Sequence, residues 1–270
     1  MQLNVFSTDN QKSGFRLQYM EVFNWGTFDE IIHKIEPGGE TSLLTGANGS
    51  GKTTFVDALL TLIVPEKKYR FYNQSSGSEK KGDRTEDSYV LGGFGEVNSE
   101  QAGATKTQYL RNNKEEAYSI LLVQFANEAA QFVTLFQVRY YIKGEMKKVF
   151  GVAHKALHIE EDFKPFDLGG NWKKNLEIRY NKGTRKLVEW FDSASKYAKK
   201  LVEVLGMQSI QAIQLFNQTV GIKVLGNLDE FIRSNMLEPR DIETQFQDLK
   251  AHLSTLLAAK KNIEKAEKQI

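Results

Sequence analysis

Cysteine is absent from this sequence, and histidine is rare. The lack of cysteine excludes disulfides, thiolate metal sites and cysteine nucleophiles, and it fits a reducing cytoplasm. The four histidines do not have the spacing of metal ligands, so we expect no transition metal. No window approaches the roughly 20 apolar residues that a membrane-spanning helix needs, and the N-terminal residues hold no apolar stretch of signal-peptide length. We therefore expect a cytoplasmic protein without a membrane partner.

An excess of one charge is also missing. The formal net charge is only +2 over 270 residues, so any contact with nucleic acid must come from local patches and not from bulk charge. Hydrophobic residues make up 40% of the chain. This is enough apolar material to bury a core in one large domain or two small ones.

One short segment carries specific chemistry. Residues 46–53, GANGSGKT, match the phosphate-binding P-loop pattern G-x-x-x-x-G-K-[ST]. Glycines let successive backbone N–H groups point at one phosphate, at a helix N-terminus whose dipole favours an anion. The lysine would reach the outer phosphates, and the threonine hydroxyl would take one position on Mg²⁺. The residues predicted to hold ATP are Asn48, Gly49, Ser50, Gly51, Lys52, Thr53 and Thr54, with Thr53 also a Mg²⁺ ligand.

The flanking residues fit this interpretation. Residues 41–45, TSLLT, predict a short buried strand that enters the loop. Residues 53–64 predict a mostly apolar helix that lies deep against a sheet and stops at Pro65. The alternative is a glycine-rich turn that binds nothing, but such a turn requires neither the strand nor the helix.

The remaining elements are predicted from hydrophobic periodicity and turn residues. Residues 66–114 are polar and are expected to form a long excursion with little regular core. Antiparallel strands are predicted at residues 15–23 and 28–35 and in a meander at 118–125, 132–142 and 147–152, and a helix at 192–205.

The C-terminal segment has a different character, with no proline or glycine from residue 241 onward. Its apolar positions alternate by four and three, which is the spacing of a coiled-coil seam. A single amphipathic helix packed on the domain is the alternative. We predict two parts, residues 1–240 and 241–270. The seam positions are Ile242, Phe246, Leu249, Leu253, Leu256, Lys260, Ile263, Glu267 and Ile270.

A complete P-loop hydrolase also needs an acid on a neighbouring strand, where it helps to hold Mg²⁺. The apolar run 119–123 is followed by Gln124 and not by an acid. The acidic pair at 229–230 does not follow a strand-like run, and Leu91-Gly92-Gly93 lacks the serine of an ABC-type signature. We predict that this chain has no catalytic residue of its own and that a second segment supplies the acid.

These motifs resemble those of the N-terminal head segment of SMC-like ATPases. The likeness is carried by residues 17–28, LQYMEVFNWGTF, by residues 43–54, LLTGANGSGKTT, and by parts of residues 83–92. It is strongest to the MukB/MksB-type bacterial condensins and the JetC subunit of Wadjet plasmid-defence systems. The resemblance implies an α/β fold: the N-terminal lobe of a P-loop ABC/SMC-type ATPase head, with an antiparallel β meander and the start of a coiled coil.

The resemblance also implies function. ATP and Mg²⁺ would join this head to a second copy, and hydrolysis in the full-length dimer would drive DNA loop extrusion, while the chain alone would be inactive. The implied partners are DNA, a kleisin, a small winged-helix subunit and a nuclease subunit. Gln218 fits the glutamine that completes the Mg²⁺ shell in this family, with Gln211 and Gln214 as competing candidates.

Basic residues follow the P-loop helix and could form a DNA-phosphate surface. A solvated loop explains them equally well, and Arg70 or Arg84 could instead reach the nucleotide. The candidate DNA contacts are Arg70, Lys80, Lys81 and Arg84. A second basic stretch at 173–186 is interrupted by acidic residues and is interpreted as a solvated face, and Trp25 is expected in the core.

Two other functions remain open at this point. An ATPase subunit of a DNA-repair nuclease, of the SbcC type, would share the P-loop, the glutamine loop and the coiled coil. A small P-loop kinase or a GTPase-like switch would share only the P-loop. The GTPase version needs a base-specificity motif such as N-K-x-D, which the sequence lacks.

Overall fold

A computed structural model describes residues 14–70, 72, 85–98, 105–213, 216 and 242–267. The chain divides into two compact units, residues 1–222 and 223–270. The predicted boundary between residues 240 and 241 lies outside the described residues.

The first unit is built on a six-stranded, fully antiparallel sheet, as the sequence predicts for its meander. The strand order is β10-β7-β6-β5-β1-β2. Alternate residues of the central strands enter two apolar cores, one on each face, because side chains alternate across a strand. The strands are β1 (Arg16–Phe23), β2 (Ile32–Ile35), β5 (Tyr118–Ala126), β6 (Phe132–Ile142), β7 (Glu145–Ala153) and β10 (Val188–Phe191).

Helices cover both faces of this sheet. The helix predicted after the P-loop is confirmed as α1 (Lys52–Ile63), and it buries Ala58 and Leu62 against β5 and β6. The helix predicted at 192–205 is confirmed as α4 (Ala194–Val204), which packs in the same core. The second core contains α3 (Asn171–Tyr180), followed by a small hairpin of β8 (Asn181–Lys182) and β9 (Arg185–Lys186).

The prediction of a long excursion with little regular core at residues 66–114 is wrong for its second half. This part contains α2 (Glu86–Leu91) and a hairpin of β3 (Gly93–Asn98) and β4 (Thr105–Tyr109). The α2 helix begins with a capping box in which Thr85 and Ser88 bond each other's backbone. It buries Tyr89, Val90 and Leu91. A helix of six residues is too short for its periodicity to stand out in a polar sequence.

The strand predicted at residues 41–45 is not formed. These residues have no regular secondary structure, and all of them are exposed. The Leu43 side chain is 87% exposed and Leu44 41%. The apolar pattern has no neighbouring strand to pair with within the described part of the chain.

In the second unit, the described residues form the long helix α5 (Ile242–Glu267), where the sequence predicts a helix. Its described seam residues are exposed, including Phe246, Leu249, Leu253 and Leu256. The coiled coil itself stays a prediction. None of the described helices is long and apolar enough to cross a membrane.

Candidate functional site

The P-loop has the backbone conformation that its glycines allow. Gly46, Gly49 and Gly51 have φ angles of 154°, 82° and 88°, a region that residues with side chains rarely adopt. Gly51 is the N-cap of α1, and no N-cap side chain accepts a hydrogen bond from the first backbone N–H groups of the helix. The first N–H groups of the helix are therefore directed at an exposed loop, where an anion is favoured by the helix dipole.

Lys52 lies over this loop. Its Nζ donates hydrogen bonds to the carbonyl oxygens of Gly46 and Ala47, both at 2.7 Å. Both bonds are exposed, so water can replace them at little cost. An approaching phosphate would meet a cation and the helix N-terminus together, which is the arrangement that binds the outer phosphates of a nucleotide.

The buried side of α1 is joined to α2 by polar contacts. Asp57 is fully buried and accepts a hydrogen bond from the Tyr89 hydroxyl. Thr61 donates to the Asp57 carbonyl at 2.6 Å and contacts the Tyr72 hydroxyl at 2.9 Å. The sequence alone does not single out Asp57. Its signal was a lone acid in the apolar helix TTFVDALLTLIV.

Arg70 lies in the core and not on a DNA-binding surface. The residue is 6% exposed, and its guanidinium pairs with Glu86 and donates to the Val64 carbonyl at 2.8 Å. Val64 follows the C-terminal end of α1, whereas the P-loop precedes its N-terminal end. The helix between them is about 18 Å long, so the Arg70 guanidinium lies at the end of α1 that is distant from the P-loop. This burial contradicts an exposed DNA-phosphate surface at Arg70, while the nucleotide contact stays a prediction.

Glu86 is the centre of a buried charge cluster. Besides Arg70, its carboxylate pairs with Lys148 and lies 3.4 Å from Arg139. Burial alone would raise the pKa of Glu86, but the cations Arg139, Arg70 and Lys148 outweigh it and lower the pKa to about 2. We call these four residues the Glu86 cluster. Arg139 of this cluster donates to Gln137 at 2.7 Å, and the Gln137 amide donates in turn to the Thr61 carbonyl of α1 at 2.8 Å.

The other predicted site residues have mixed outcomes. Trp25 is confirmed as a core residue, since it is fully buried and stacked on Tyr89 with ring centroids 4.6 Å apart. Lys80, Lys81, Arg84 and Gln218 lie outside the described residues. Of the competing glutamines, Gln211 is described and exposed. Among the residues with described positions, no group of three histidine, aspartate or glutamate side chains could hold a metal ion.

Comparison with known proteins identifies the P-loop segment. Residues 17–79 match the family model for the P-loop containing region of the AAA domain. No curated protein matches the chain. A solved structure described as "Structural biochemistry of ATP-driven dimerization and DNA stimulated activation of SMC ATPases" is similar at 13% identity. The similarity covers 87% of this chain and 99% of that chain, with a TM-score of 0.35. The chain thus contains an ATP-binding P-loop region in a mixed α/β fold with an antiparallel sheet.

Proposed function

We propose that this chain is the ATP-binding half of an SMC-like, DNA-organising motor ATPase. One observation carries the proposal: a P-loop with the required backbone follows an apolar segment, residues 41–45, that lies exposed. In P-loop proteins the loop joins a strand to a helix. Here the helix is packed, while the strand-like segment has its Leu43 side chain 87% exposed.

Exposed apolar residues beside a functional loop indicate that another polypeptide segment packs there in the complete protein. An extended segment with unpaired backbone groups and exposed leucines is a template for pairing with another strand. A second polypeptide segment that adds strands here would bury Leu43 and Leu44 and fix the entry to the P-loop. The same segment would bring the catalytic acid that the sequence lacks.

Two buried carboxylates, in and beside the P-loop helix, support the proposal that a second segment supplies the catalytic acid. Asp57 is engaged by Tyr89, and Glu86 is engaged by three cations. Both carboxylates are buried and engaged in these contacts, so neither is exposed to a hydrated Mg²⁺ ion. The acid is therefore expected from outside the described residues, as in an ATPase whose head is assembled from two segments.

The finer assignment rests on the resemblance of residues 17–28 and 43–54 to Wadjet-type heads. In this proposal ATP and Mg²⁺ join two copies of the head, with Thr53 and Gln218 as Mg²⁺ ligands, and hydrolysis drives DNA loop extrusion against plasmids. A kleisin, a small winged-helix subunit and a nuclease subunit would complete the assembly. The exposed seam of α5 would continue as a coiled coil.

The first prediction concerns the chain alone. It is expected to bind ATP but to turn over fewer than roughly one ATP per minute, well below ordinary enzyme rates, because the acid is missing. The measurement is ATP binding by titration and phosphate release in steady state, with Lys52→Ala as the control for contaminating ATPases. Turnover above that rate, lost in Lys52→Ala, would contradict the two-segment proposal.

The second prediction concerns Gln218 in the full-length dimer. A neutral Mg²⁺ ligand adds less to nucleotide binding than charge-assisted contacts do, so Gln218→Ala should leave ATP affinity within about tenfold. Head engagement and DNA-stimulated hydrolysis should be lost. Gln211→Ala and Gln214→Ala are the matched controls. A defect in either control with normal behaviour of Gln218→Ala would move the Mg²⁺ ligand to that neighbour.

A further inference from the structure

The loop that joins β1 to β2 packs against the P-loop. Phe28 in this loop is buried, and its ring lies so close to Gly51 that a Cβ built on the glycine would be 2.4 Å from Phe28 Cε1 and 2.6 Å from Cζ. No such atom fits at these distances. Gly51 is therefore required twice, by its φ angle of 88° and by the Phe28 ring.

The β1–β2 loop makes a second contact at Thr54, which follows Lys52 and Thr53 in the sequence, whereas Gly51 precedes them. A Cβ on Gly26 would be 3.2 Å from Thr54 Cγ2, so the backbone of the β1–β2 loop also touches the first turn of α1. The Phe28 ring is itself held between His33, stacked at 3.9 Å between centroids, and Phe55 at 4.9 Å. The β1–β2 loop thus contacts Gly51 of the P-loop and Thr54 of α1, two residues predicted to hold ATP, on either side of the predicted phosphate and Mg²⁺ contacts Lys52 and Thr53.

Arg111, which follows β4, fixes the β1–β2 loop. Its guanidinium makes five hydrogen bonds, and three of them go to this loop: to the Gly26 carbonyl at 2.9 Å, the Phe28 carbonyl at 3.2 Å and the Asp29 carboxylate at 2.5 Å. The other two go to the carbonyls of Tyr89 and Val90 in α2. One side chain therefore ties the loop to α2, and only a planar fork of donors can make this set of bonds.

We propose that Phe28 is a positioning residue for the phosphate site and that Arg111 holds Phe28 in place. A glycine-rich loop has much conformational freedom, and ordering it on binding costs affinity. A rigid ring pressed on Gly51 removes part of that freedom before the nucleotide arrives. The inference rests on the proposed ATP binding and adds residues far outside the P-loop motif to the site.

The third prediction tests this role. Phe28→Ala is expected to weaken ATP binding by roughly tenfold or more, since small misplacements of positioning groups have effects of this order. Phe28→Leu, which refills part of the space, should recover part of the affinity. Arg111→Lys keeps the charge but loses the fork, and it should weaken binding although Phe28 is present. The measurements are ATP titration and hydrogen exchange of residues 46–54.

Phe163→Ala is the matched control, because Phe163 is a fully buried phenylalanine in the core on the opposite face of the sheet. It should lower the melting temperature but leave ATP affinity and exchange at residues 46–54 unchanged. If Phe28→Ala fails to fold, Phe28→Leu and Arg111→Lys carry the test. ATP affinity at the wild-type level in the folded variants, or an equal loss in Phe163→Ala, would overturn the inference. Failure of the wild-type chain to bind ATP would instead overturn the proposed function.

Discussion

Replacing Glu86 with glutamine is expected to lower the free energy of unfolding by about 3–5 kcal/mol, the range for breaking a buried ion pair by removing one partner. The Glu86 carboxylate is the shared partner of Arg70 and Arg139, both of them buried, and of the partly buried Lys148. A neutral amide would leave three cations facing one another without an anion. Thermal or urea unfolding, followed by circular dichroism, measures the loss.

The Glu86 cluster also predicts how the free energy of unfolding changes at acid pH. The folded-state pKa of Glu86 is about 2, below its ordinary value of 4.5. The stabilisation it provides is therefore fully present above pH 4.5 and is lost as the pH falls from there towards 2. Glu86→Gln should flatten this part of the curve. The control is Glu145→Gln, since Glu145 is an exposed partner of Lys147 and should change stability by less than about 1 kcal/mol. Equal effects of the two substitutions would contradict the role of the cluster.

Lys52→Ala is expected to weaken ATP binding by roughly 100-fold, which is about 2.8 kcal/mol because each tenfold change in affinity is about 1.4 kcal/mol. The substitution removes the cation that lies over the P-loop, while the backbone N–H groups remain. Folding should not change, because Lys52 Nζ makes only exposed contacts to two loop carbonyls. Equilibrium titration with ATP·Mg²⁺ measures the affinity.

Lys174→Ala is the matched control for Lys52→Ala. Lys174 is an exposed lysine on α3, which covers the opposite face of the sheet from α1. It should leave both ATP affinity and stability unchanged. Unchanged affinity in Lys52→Ala would mean that the P-loop sequence has no binding role in this chain.

The parts of the fold that the sequence predicts well are those governed by local pattern. The strands β5, β6 and β7 and the helix α1 follow from periodicity and turn residues, and all four are confirmed. The P-loop is predicted with equal success, because its chemistry fixes both residue types and spacing. Each of these features is contained in a short window of sequence.

The misjudged parts depend on partners distant in sequence. Arg70 has the composition of a surface charge, but its anion comes from Glu86, 16 residues later. The Phe28 carbonyl is bound by Arg111, 83 residues away. Residues 41–45 have the composition of a buried strand, yet their burial requires a neighbouring strand that the described residues do not supply. No local pattern reports such contacts.

Nucleotide binding at residues 46–54 is tested most directly by hydrogen exchange of the wild-type protein with and without ATP·Mg²⁺. Amide exchange in the P-loop and the first turn of α1 is expected to slow on addition of ATP·Mg²⁺, and Lys52→Ala is expected to remove most of this protection. Unchanged exchange throughout residues 46–54, at ATP concentrations in the millimolar range that saturate ordinary nucleotide sites, would contradict nucleotide binding at these residues.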